Sequence, residues 1–162
     1  MDDRTAKGHA GWTRQRERQP MHLDDLEQRL GGQVAPIRAA LAGETDLAVV
    51  LAHDPTYGDD VVLVATRRGL HVRQLCPDAS LDTRPTREPS VAPWATVRVS
   101  PVRIEGWRAP GTQPDARATH SCEVRVGQTL FHVSADGLPG QAAVDSFHDE
   151  VVRRGTPWHY PA

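Results

Sequence analysis

The sequence predicts an α+β fold that is mainly β: seven strands in hairpin succession, one closing helix at the C-terminus and a helical extension at the N-terminus. Three observations carry this. Residues 61–75 are a run of β-formers, a short polar turn and a second run that alternates apolar and polar residues. Strand side chains alternate faces, and Gly69 supplies the positive φ that a tight hairpin turn needs. Residues 120–134 repeat the design, with Cys122, Val124 and Val126 on one face and Glu123 and Arg125 on the other. Residues 141–154 then set Val144, Phe147 and Val151 along one helical face, opposite Asp145, Asp149 and Arg153.

Composition narrows the class. A chain of 162 residues with 38% hydrophobic content fits one domain with tails, or one domain plus a helical extension. With 19 basic and 21 acidic residues the net charge is −2. No global field draws nucleic acid or an anionic membrane, so no nucleic-acid partner is expected. Cys76 and Cys122 lie far apart and lack Cys-x-x-Cys spacing, which argues against a disulfide framework or a zinc site. The N-terminus is acidic and has no apolar signal region, and no apolar run approaches the ~20 residues that span a bilayer. The expectation is a cytoplasmic protein with no transmembrane segment.

In chain order, residues 1–20 read as a disordered arm of net +2, a solubilising tail that could also touch an acidic partner. Residues 21–43 form a helical segment: Leu23, Leu26 and Leu30 recur at i, i+3, i+7, as do Val34, Ile37 and Leu41. Gly31 and Gly32 end the first helix, Pro36 sits near the start of the second, and Gly43 closes it. The apolar stripe is expected on the outside of the strands; a dimer or partner contact is the alternative. Residues 44–156 form the β domain. Its strands are 46–54, the two arms of the central hairpin, 91–100, 102–107, 120–126 and 129–134. Loops rich in Pro, Gly or acidic residues span 55–60, 76–90 and 109–118. Gly155 and Pro157 stop the last helix, leaving 157–162 as a short aromatic tail.

Strands in hairpin succession followed by an amphipathic helix resemble a pleckstrin-homology-like barrel, closest to the bacterial PH and GRAM-like type. Leu63 to Val72, Pro93-Trp94-Ala-Thr-Val97 and the Gly127 to Phe131 hairpin carry the resemblance over roughly residues 46–154. It implies a seven-stranded, partly open antiparallel barrel and a binding or adaptor function. Two departures count. The loop after the first strand carries Asp54, Asp59 and Asp60, net −3, where phosphoinositide-binding members have basic residues. The closing helix has Phe147 at the position where eukaryotic members usually carry Trp.

No catalytic motif stands out, and no catalytic, cofactor or metal residue is assigned. His53, Asp54, Asp59 and Asp60 have hard-ligand character but lack recognised metal spacing. His71, His120 and His132 read as exposed or core-edge strand residues, and both cysteines as small buried hydrophobes. Arg14 to Arg18 and Asp78-Ala-Ser80 are similar to parts of the PilZ motif, but their separation and Thr83 in place of the closing Gly disfavour that reading.

The candidate binding residues are Arg67 and Arg68 at the hairpin tip, Arg73, Trp94 and Trp107. Residues 61–130 hold ten Arg against six acids, so the tip could grip an acidic peptide or a phosphate. The reading is a non-enzymatic module for a protein partner, held at its loops or at an open edge between strand four or five and the closing helix. A small anionic ligand or peripheral lipid headgroup is the alternative, and an enzyme the third. No cofactor is expected.

Overall fold

Residues 20–75, 90–106, 118–136 and 138–158 are described by the structure, a computed structural model. β1 (Ala48–Asp54), β2 (Asp59–Ala65) and β3 (Gly69–Gln74) form an antiparallel meander in which Leu63 lies between Val50 and Val72. β2 is apolar from Val61 to Ala65 because both of its faces are covered. Val61, Leu63 and Ala65 enter an inner core with Val50, Leu70 and Val72, while Val62 and Val64 enter an outer one.

β4 (Ser90–Pro93) pairs with β3, and a 3-10 turn at Trp94–Thr96 then swings the chain to the other side of the sheet. There β5 (Val97–Val99) and β6 (Arg103–Glu105) lie one after the other along β7 (Thr119–Val126). β8 (Thr129–Asp136) pairs with β7 and meets β1 at Ala52–Val133 and His53–His132. Among the described residues, eight antiparallel strands thus nearly close into a barrel. A two-residue β9 (Thr156–Pro157) adds to β5 in parallel. The helix α3 (Leu138–Arg154) sends Val144, Phe147 and Val151 into the inner core against Val97, Val124 and Phe131.

Two expectations change. The run 91–100, expected as one strand, is broken, because Pro93 has no N–H to extend a ladder and the 3-10 turn follows it; the barrel therefore has eight antiparallel strands rather than seven. Gly69 is not among the glycines with positive φ. It is glycine because β4 passes so close that a Cβ would lie 2.3 Å from the Ala92 carbonyl oxygen.

The N-terminal segment forms α1 (Leu23–Leu30) and α2 (Val34–Leu41), joined by a 3-10 turn at Gly31–Gln33. Pro36 falls in the first turn of α2, where its missing N–H removes no helical bond. Leu23, Leu26, Val34, Ile37 and Leu41 are all buried against Val49, Val62 and Val64. Full burial of such a side chain contributes about 1.5–3 kcal/mol. Polar contacts set the register: Val49 N–H donates to the Met21 carbonyl, and Leu23 N–H to the Asp46 carboxylate, each at 2.9 Å. The stripe is therefore spent on the chain's own barrel. Among the described residues, no helix is long and apolar enough to cross a membrane.

Candidate functional site at the β2–β3 hairpin tip

The turn between β2 and β3 is fixed from within. Thr66 N–H donates to the Gly69 carbonyl at 3.0 Å, and the Thr66 hydroxyl lies 3.0 Å from that carbonyl and 3.3 Å from Gly69 N–H. From behind, the Trp94 indole N–H donates to the Thr66 carbonyl at 3.0 Å. Arg67 and Arg68 project from this turn into solvent.

The wall facing them comes from the connector between α2 and β1. Ala42 (φ 51) and Gly43 (φ 85) turn the chain out of α2, and Glu44 N–H donates back to the Leu41 carbonyl at 3.0 Å. The Glu44 carboxylate then reaches the hairpin. One oxygen forms an ion pair with Arg68, 2.9 Å from its Nε, and the other accepts from His71 Nε2 at 3.3 Å. Hydrogen bonding from the Thr66 hydroxyl and from His71, with the Arg68 charge, holds the Glu44 carboxyl below its ordinary value. Glu44, Thr45, Leu47, Arg67 and Arg68 line a pocket of about 360 Å³. Its three charged side chains sum to +1.

Arg67 and Arg68 therefore come together, and Glu44 joins them, which the sequence reading missed. Arg73 does not. Strand parity puts it with His71 and Val62 on the outer face, where burial lowers its pKa and its Nε is buried without a hydrogen-bond partner among the described residues. Trp94 is no exposed patch; it packs against the inner core and supports the tip. Trp107 and Cys76 lie outside the described residues. His71, expected at an edge or in solvent, is 3% exposed because the N-terminal helices cover its side of the sheet.

The other candidates serve the fold. Asp54 is buried and accepts from Thr56 N–H at 2.8 Å and Tyr57 N–H at 3.3 Å, stapling the β1–β2 loop. His53 meets Asp60 across the strands at 3.0 Å. Among the described residues, no three His, Cys, Asp or Glu side chains are grouped to hold a metal. His120 Nδ1 lies 2.8 Å from Asp145 on α3, with Cys122 two residues along the same strand face. Burial, helped by the Asp145 and Glu123 charges, pushes the Cys122 thiol up to about 12, so it is no nucleophile near neutral pH. Of the edge expected to be open along residues 91–107, the β5 part is taken by the chain itself. β9 pairs with Arg98 and Val99, Trp158 N–H donates to the Val99 carbonyl at 2.9 Å, and the Arg125 guanidinium sits 4.5 Å over the Trp158 ring. Comparison with protein-family models, with curated proteins and with solved structures gives no match for the chain.

Proposed function

We propose that the chain is a non-enzymatic, cytoplasmic binding module of pleckstrin-homology-like type that takes an acidic group of a protein partner at the β2–β3 tip. The observation that carries this reading is the pocket of about 360 Å³ walled by Arg67 and Arg68, with Thr45 and Leu47 beside them. Guanidinium groups match planar anions, and a charged site on a braced turn needs little ordering on binding. The strand meander, with β1 joined to β8 and α3 packed across the opening, supports the pleckstrin-homology-like part. A small anionic ligand, a lipid headgroup included, is the second reading, favoured by the same two guanidinium groups.

The test is in-cell crosslinking of the tagged full chain beside an Arg67→Glu/Arg68→Glu version. The full chain is needed because removing α1 and α2 would expose Val49, Val62 and Val64. A protein captured by the wild type and lost from the double variant supports the reading. Equal capture by both moves the site away from the tip.

A further inference from the structure

This inference rests on the reading of the tip as an acidic-group site. The Arg68 side chain is 84% exposed, whereas that of Glu44 is 19% exposed. A guanidinium so far into solvent samples many rotamers unless something holds it. Glu44 does so through an ion pair, one oxygen lying 2.9 Å from Arg68 Nε while the other is anchored on buried His71. Arginine carries five N–H donors in one plane. With the Glu44 carboxylate on one side and most of the side chain in solvent, guanidinium N–H groups of Arg68 remain open to an anion in the pocket it shares with Arg67. Among the described residues, Arg68 makes no ion pair other than the one to Glu44.

We infer that Glu44 is a positioning residue for Arg68, and that the site it builds takes a single carboxylate. The two guanidinium charges less the Glu44 charge leave +1 around the pocket. That matches a monoanion, whereas a phosphate group near neutral pH carries close to −2 and would meet the Glu44 charge at short range. The carboxylate can come from the C-terminus of a partner chain or from an Asp or Glu side chain, both of which offer the same two oxygens to a bidentate donor.

The test titrates the full chain, followed by magnetic resonance of isotope-labelled arginine, with four probes: acetyl-Ala-Leu with a free C-terminus, its amide, acetyl-Glu-Leu amide and sodium phosphate. Saturable binding of at least one carboxylate probe, with none by acetyl-Ala-Leu amide, is expected, and the stronger carboxylate probe names the source. Glu44→Gln and Glu44→Asp are expected to weaken that binding by about fivefold, since both keep the arginines but lose their brace. In the wild type, the Arg68 guanidinium is expected to move less than that of Arg67 in side-chain relaxation measurements, a readout that needs no variant to fold. Equal mobility, or binding by Glu44→Gln as tight as by the wild type, overturns the role of Glu44. Phosphate binding more tightly than either carboxylate overturns the ligand assignment. No saturable response to any probe overturns the underlying acidic-group reading instead.

Discussion

The indole N–H of Trp94 donates to the Thr66 carbonyl across 3.0 Å, tying the corner that leads into β5 to the turn that carries Arg67 and Arg68. The bond closes the top of the barrel and stiffens the candidate site at once. Trp94→Phe keeps much of the packing and removes the donor, so a loss of about 1 kcal/mol is expected in urea unfolding. Amide exchange at the 66–69 turn should rise with it. An unchanged exchange rate would show that the turn stands without this support.

Gly69 is required by closeness, not by backbone sign. Gly69→Ala would place a Cβ 2.3 Å from the Ala92 carbonyl oxygen, and backbone on both sides leaves little room to yield. A destabilisation of about 1–3 kcal/mol is expected, with β4 loosened from β3. Exchange protection at Leu70 and Ala92, which face each other in the ladder, is the measurement. Wild-type stability in the alanine variant would contradict the contact.

How much of this was legible follows from where the signals sit. The β1–β3 meander, the β7–β8 hairpin and α3 could be read because their patterns are local, with period 2 or 3.6. The corner at Trp94 was signalled by Pro93, which cannot extend a ladder, but the β-formers on either side of it read as one strand. The site was half legible. Arg67 and Arg68 are marked by the turn, whereas Arg73 lies further along β3, opposite Val62 and away from the tip. Glu44 carried no local signal, because its partners Arg68 and His71 are distant in sequence and meet it only once β1 pairs with β2. The pairing of β9 with β5 is invisible for the same reason.

Glu44 should also report on pH. Its carboxyl is held below its ordinary value of 4.5, so the folded chain binds that proton less readily than the unfolded chain. The stabilisation is then complete above the unfolded value and is lost as pH falls through the depressed folded value. The stability gap between the wild type and Glu44→Gln is expected to be flat from neutral pH to about 5 and to shrink in more acid solution. Unfolding curves of both proteins across that span measure it. A gap that persists or widens in acid contradicts the assignment.

Cys122 is expected to be inert. A thiol moved from 9.0 to about 12 by burial loses thiolate about a thousandfold at pH 8. In a Cys76→Ser background, alkylation by iodoacetamide should therefore wait for unfolding, then proceed at the rate of a free thiol. Prompt labelling of the native protein would contradict the buried position.

The central proposal is that acidic groups are taken at the hairpin tip. The most direct measurement maps the response of each arginine side chain to acetyl-Ala-Leu with a free carboxylate. Saturable shifts confined to Arg67 and Arg68 are expected, with Arg73, Arg98 and Arg125 unmoved. A response largest at any of those three, or a uniform drift across all of them, would contradict it.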